Sequence, residues 1–454
     1  MSDWFDAEKH VERAHELYEA GRWEEAESEL RQAISFNPYQ SEWHFNLGLT
    51  LDASGRHDEA TETFRKASEL DPEDGQAALM TGLSLIRSER PRESLEWLER
   101  AEKLEPASAA SFVHRIEAYR ALGQHEQAEL MFYMAQQLDP RSADAYTALA
   151  DSLLDRALFE KAVWCLREAA RLDPELPGVQ AKLAGAYRAT GRHERARQLY
   201  LRELRLEPGD IETLLDLGSL LVEMNRFVEA GEKFRRVLEM EPDNADAHFE
   251  LGDLAEREAQ LDSAIVHMDV VLRLEPSYPG ARRRLAALKL RRAQRDDAPE
   301  ARALLRQERA EFTRTPEAFA AHEIEDLGRL LLDCAQPAEA VRILRALAEM
   351  RPNEARARHL LSVALFESGA RGQGMEEARR VLRIDPRFVP ALHNLAMACL
   401  QERQWRRARY WLRQARRVDP DDASLRRLTL TLALHAVTEA AHYVSCFFLR
   451  RRPR

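Results

Sequence analysis

The sequence predicts an all-α fold, an α-solenoid of about twelve stacked helix-turn-helix units closed by a capping helix. Three observations carry that expectation. The prolines from Pro38 through Pro72, Pro106, Pro140, Pro174, Pro208 and Pro242 to Pro276 follow one another every 34 residues, and Pro352, Pro386 and Pro420 resume the same interval. Between the prolines, apolar residues recur at helical spacing in two runs, as in Leu47 and Leu51, then Ala60, Phe64 and Ala67. The composition, 45% hydrophobic and 32% charged with 18 glycines in 454 residues, suits a long helical array and argues against disorder or a sheet-rich fold. Length says little about domain number, because each unit of such an array packs only on its neighbours.

Each proline reads as a helix stop. It cannot continue a helix and it pushes its predecessor, as in Asp71-Pro72, Glu105-Pro106 and Asp139-Pro140, out of the α region. Starting each unit 31 residues before its proline places repeats at 7, 41, 75, 109, 143, 177, 211 and 245. Position 8 is then small (Ala14, Gly48, Gly82, Ala150, Ala184, Gly218, Gly252) and position 20 is alanine or serine (Ala26, Ala60, Ser94, Ala128, Ala162, Ala196, Ala230, Ala264). Position 24 is large and apolar (Leu30, Phe64, Leu98, Phe132, Leu166, Tyr200, Phe234, Met268). Small residues let the two helices approach and the large one fills the groove beside them. The turn between them carries Gly21, Gly55, Gly123 or Gly191, which fits a left-handed helix C-terminus.

These positions resemble the tetratricopeptide repeat family over nearly the whole chain. The resemblance implies a right-handed superhelix whose first helices line a concave face that binds other proteins, and it implies no cofactor. The family's carboxylate clamp is matched only by Asn46 and Asn394 at position 6. Val11, Gln76 and Met80 stand where its lysine and arginine partners belong, which puts recognition of an acidic chaperone tail in doubt.

The organisation read from the period is four blocks. Residues 7–276 hold eight regular repeats; 277–320 hold an altered basic repeat with an eight-residue insertion; 321–422 hold three more; 423–454 form an apolar capping helix with a basic tail. In the altered repeat Arg282, Arg283, Arg284 and Arg291 mark a basic face on a first helix over about 280–295. Asp297 reads as the cap of an extended second helix, and Pro316 as the displaced stop. A solvated helix face is the competing reading of those arginines. In the repeat at 355, Gly369-Ala-Arg-Gly-Gln-Gly374 predicts a looser turn.

Three readings of the tail stay open. It folds back as a cap, or it meets a second copy, or its apolar face (Leu434, Val437, Val444, Phe447, Phe448) docks on a membrane surface through 428–449, helped by Arg450–Arg454. A spanning helix is disfavoured, since Glu439 near a bilayer centre costs about 2–3 kcal/mol. The acidic amino end lacks an apolar stretch, so a cytoplasmic location is expected, with membrane association if the tail docks. Cys165, Cys334, Cys399 and Cys446 lie far apart and read as buried thiols.

No catalytic or metal constellation appears, and the chain reads as no enzyme. His57, His125 and His193 share position 17, and His44 and His248 share position 4, so they belong to the repeat rather than to a metal site. Charge is the informative feature. Residues 1–280 hold 32 Lys+Arg against 56 Asp+Glu, and residues 281–454 hold 35 against 22, giving −24 and +13 within a total of −11. First-helix positions in repeats five, seven and eight carry Asp144, Asp151 and Asp155, then Glu212, Asp216 and Glu223, then Asp246, Glu250, Asp253 and Glu256. Lys182 and Arg188 of repeat six interrupt the row. The expectation is a scaffold or adaptor that binds proteins or peptides, favouring basic segments in this acidic groove. The alternative is an assembly factor located by its apolar tail. Nucleic acid is disfavoured by the acidic half, and opposite charge at the two ends permits homo-oligomers.

Overall fold

The computed structural model describes residues 2–430 and 432, with side chains from residue 7 onward. Between residues 2 and 418 lie 24 α-helices and one 3-10 turn, and the described residues contain no strand. The tail contacts expected at Leu434, Val437, Val444, Phe447 and Phe448 lie outside the described residues, as does Cys446.

The chain divides into two compact units, Met1–Met240 and Glu241–Arg454. In the first unit, helices pair as α1 (Ser2–Glu19) with α2 (Trp23–Phe36), α3 (Ser41–Ala53) with α4 (His57–Leu70), α5 (Gly75–Arg87) with α6 (Pro91–Leu104), and α7 (Ala110–Ala121) with α8 (His125–Leu138). The series continues as α9 (Ala143–Asp155) with α10 (Phe159–Leu172), α11 (Val179–Ala189) with α12 (His193–Leu206), and α13 (Ile211–Glu223) with α14 (Phe227–Met240). In the second unit the pairs are α15 (Ala245–Arg257) with α16 (Leu261–Leu274), α17 (Ala281–Arg292) with α18 (Asp297–Arg314), α19 (Ala321–Asp333) with α20 (Pro337–Met350), α21 (Ala355–Glu367) with α22 (Arg371–Ile384), and α23 (Val389–Gln401) with α24 (Trp405–Val418). Residues 423–430 are helical, and Leu425, Leu428 and Leu432 are buried in the same cluster as Leu412 of α24.

Local chemistry sets these boundaries. Each aspartate before a proline leaves the helix in an extended conformation, as Asp71 at φ −126° and Asp139 at φ −133°. Its carboxylate then accepts the N–H two residues on, from Glu73 at 3.2 Å and Arg141 at 2.9 Å. The next helix opens on a capping side chain, as Asp74 accepts from Gln76 and Ala77, and Ser142 from Ala145. At position 15 the backbone is left-handed in every unit. Glycine serves at Gly21, Gly55, Gly123, Gly191 and Gly369, while Glu89, Ala157, Asn225, Ala259, Ala293, Ala335 and Arg403 adopt φ between 54° and 60° without it. The paired bonds of the turn impose this, as in Ala157 N–H to Leu154 O at 2.8 Å and Leu158 N–H to Leu153 O at 2.9 Å.

Packing inside a unit is specific. A Cβ built on Gly48 would lie 2.6 Å from the Phe64 ring, on Gly82 2.7 Å from Leu98, on Gly218 2.4 Å from Phe234, and on Gly328 2.4 Å from Leu344. The position-24 side chain therefore sits directly on the position-8 glycine. The turn at Gly369 is looser, as expected: Gly369 N–H keeps its bond to Phe366 O at 3.1 Å, but the companion bond of the other turns is replaced by one from Arg371 N–H to Gly369 O at 2.9 Å. The helix after it is regular, since α22 keeps the same 14-residue length as α20, and the Phe366 ring occupies the space a side chain at Gly374 would take, 2.9 Å from its ideal Cβ. One expectation needs correction. Asp297 does not cap its own helix. It is buried at the first turn of α18, accepting from Gln294 N–H at 2.7 Å and from Arg292 at 2.6 Å, so it ties the turn instead. The extension itself is present, since α18 has 18 residues against 14 for α16, and a 3-10 turn at Pro316–Ala318 follows it.

Candidate functional site

The acidic residues singled out by the repeat alignment all lie on first helices, and most already face a cation from an adjacent repeat. In the first unit Asp151 meets Lys182 at 2.7 Å, Asp155 meets Arg120 at 3.6 Å, and Arg188 reaches both Glu223 at 2.7 Å and Asp216 at 3.7 Å. In the second, Asp253 meets Arg257 at 2.8 Å and Arg284, while Glu256 meets Arg284 at 2.9 Å and Arg291. Asp246 accepts from the Tyr278 hydroxyl at 2.6 Å, and Glu250 is engaged as well. Burial and the neighbouring Asp246 carboxylate push the Tyr278 phenol well up. Burial and Asp216, which accepts from the hydroxyl at 3.1 Å, do the same to Tyr200.

A register governs these pairs. Position 12 of one repeat faces position 13 of the next, as in Asp52–Arg87, Arg120–Asp155, Arg188–Glu223 and Glu256–Arg291, each 35 residues apart. Position 9 faces position 6 of the next, as in Asp151–Lys182 and Asp253–Arg284. Opposite charges at separations of 31 and 35 were the signal in the sequence; reading each repeat by itself missed Arg87, Arg120 and Lys182 as partners. The basic residues of the altered repeat divide accordingly. Arg284 and Arg291 belong to the same inner row as the acids. Arg283 is not on a surface: at 8% exposure it binds Glu308 at 3.0 Å and Glu323, and stacks 5.6 Å from the Phe319 ring centre.

What stays open on the first helices is more limited. Asp144 and Glu212 are exposed at the starts of α9 and α13, with side chains that pair with no cation among the described residues. Between α1 and α3 a groove of about 480 Å³ has Val11, Ala14, Leu30 and Leu49 for its apolar walls and Glu12, His15, Glu42 and Asn46 for its polar ones. The histidines at position 4 are held by structure: His44 Nε2 lies 3.0 Å from Pro38 O, and His248 Nε2 3.1 Å from Pro242 O. Among the described residues no group of three or more His, Cys, Asp or Glu is placed to hold a metal ion, and no helix is long and apolar enough to cross a membrane.

A family model described as tetratricopeptide repeat matches residues 11–75, 79–143, 147–211, 215–282 and 325–387. The chain belongs to the tetratricopeptide repeat family. Similar solved structures include a thermophilic tetratricopeptide repeat protein of Thermus thermophilus, with 24% identity over 40% of this chain and 99% of that one, at a TM-score of 0.38. The human IFIT1 dimer shows 19% identity over 74% and 81% of the two chains at a TM-score of 0.47, and yeast Tom70 shows 15% over 98% and 99% at 0.37. No curated protein gives a significant match to this tetratricopeptide repeat chain.

Proposed function

We propose that this tetratricopeptide repeat chain is a protein-interaction scaffold that holds segments of its partners on the faces of its first helices, favouring basic segments with an apolar anchor. Family membership supports the scaffold. One observation supports the preference: the open groove between α1 and α3 combines apolar walls with Glu12 and Glu42, and Asp144 and Glu212 further along the same unit await a cation. Exposed pairs contribute about 0–1 kcal/mol each, so affinity comes from several together and falls with salt.

The variants that test this avoid Asp151, Asp216 and Asp253, whose reversal breaks internal pairs with Lys182, Arg188 and Arg284. Instead, Glu42→Lys, Asp144→Lys and Glu212→Lys are combined, partners are captured from native lysate, and basic segments of those lost are resynthesised as peptides. Peptides that bind the parent chain and lose about tenfold or more on the triple variant are the expected result. Unchanged binding to the variant removes the basic-segment reading and leaves the scaffold.

A further inference from the structure

In four repeats the arginine just before the second helix is matched to an acid three residues on. Arg22 binds Glu25, Arg56 binds Glu59, Arg90 binds Glu93 and Arg226 binds Glu229, the acid at position 19 in each case. That acid also suits the positive end of the helix it opens. In α24 the pattern is reversed. Position 19 is Arg407, next to Arg406, and α24 contains no acid at all. Arg406, Arg407, Arg409, Arg413, Arg416 and Arg417 are all exposed, and none forms an ion pair among the described residues. Arg379 and Arg383 of α22, which share positions 25 and 29 with Arg413 and Arg417, are exposed and unpaired too. Self-repulsion of this kind disfavours the helix, and the placement of two arginines in its first turn adds to that. Folding does not require it, because Ala408, Leu412 and Ala415 alone supply the buried side of α24.

Among these arginines Tyr410 is 53% exposed, edge-to-face with Trp411 at 4.9 Å between ring centres. Past α24, Leu430 is 65% exposed, and the sequence then runs from 433 to 449 with Glu439 as its sole charged residue before Arg450, Arg451, Arg452 and Arg454. We infer that the arginine face of α24 docks on an anionic bilayer surface. Guanidinium groups meet lipid phosphates and carboxylates, and the exposed Tyr410, braced by Trp411 on the core side, suits the headgroup depth, where aromatic rings with a polar edge settle. Arginines alone serve nucleic acid equally well; their continuity with the chain's most apolar stretch favours lipid, since stable attachment to a membrane takes charge and apolar insertion together.

The experiment is co-sedimentation of the full chain with phosphatidylcholine vesicles and with vesicles containing phosphatidylserine, in parallel with the Arg409→Gln, Arg413→Gln, Arg416→Gln variant, helicity being checked by circular dichroism. A gel shift with duplex DNA runs alongside. The parent chain is expected to pellet with the serine-containing vesicles and to be released by salt, and the variant to partition about a hundredfold less, at roughly tenfold per one to two arginines near an anionic surface. Equal binding to both vesicle types, or an unaffected variant, overturns the inference. So does arginine-dependent binding of DNA without vesicle binding. Partner capture through the first helices is independent of this face: the glutamine variant retains it if the scaffold reading holds, and the Glu42, Asp144 and Glu212 reversals leave vesicle binding intact.

Discussion

At the residue scale the array is defined by what cannot be added to it. The ideal Cβ at Gly218 lies 2.4 Å from the Phe234 ring, and Phe234 is fully buried, so Gly218→Ala forces the ring to move. A loss of about 1–3 kcal/mol in urea unfolding is expected, with most of it recovered by adding Phe234→Leu; a neutral single variant means the ring relocates freely. His359 is a second case. Burial pushes its imidazole down to about 4, it packs 5.0 Å from the Phe388 ring, and its Nδ1 has no partner. The folded pKa is below the unfolded one, so stability is present above about pH 6.5 and is lost as pH falls toward 4. Unfolding curves across that range are expected to lose this component in His359→Leu; an unchanged slope excludes it. The glycine positions were legible because identical residue types recur at one phase of the period. His359 was not legible, because nothing in the run Ala355–Glu367 distinguishes a buried imidazole from an exposed one.

At the element scale the altered repeat shows how an array absorbs an irregular helix. In α18, of 18 residues, Glu308 is buried at 4% exposure, and Arg283 and Arg282 of α17, at 3.0 and 3.6 Å, keep it company, although burial, the largest influence, still pushes its carboxyl up. Removing one member leaves the other charge buried. Arg283→Met is expected to cost about 3–5 kcal/mol, and the double change with Glu308→Leu to restore most of it, as thermal unfolding of the two will read. A cost under about 1 kcal/mol for the single change means that Arg282 alone suffices. The broken period announced the insertion and its longer helix. It did not announce that Arg283 turns inward while Arg284, one residue on, joins the acidic row, since that depends on where α18 and α19 pass.

At the scale of the whole molecule the charge pattern was readable as a total and not as a pairing. Asp151, Asp155, Asp216 and Glu223 looked like an acidic row interrupted at Lys182 and Arg188, yet Lys182 and Arg188 are what Asp151, Asp216 and Glu223 hold, and Asp155 holds Arg120. In this row a carboxylate's partner is often in the neighbouring repeat, 28, 31 or 35 residues away, so much of the charge has meaning only between repeats. From this follows a rule of order. The repeats share one geometry but are not interchangeable modules, because each carries half of an address read by its neighbour. Excising residues 177–210 removes one full period and leaves every turn and glycine contact in phase, but it sets Asp151 against Asp216 and takes away Arg188. Such a shortened chain is expected to assemble with a weakened junction that added salt strengthens, by screening like charges, where the parent's junctions are weakened by the same salt. The array is thus spelled in sequence, one neighbour at a time, and a deletion that is silent in shape is a misspelling in charge.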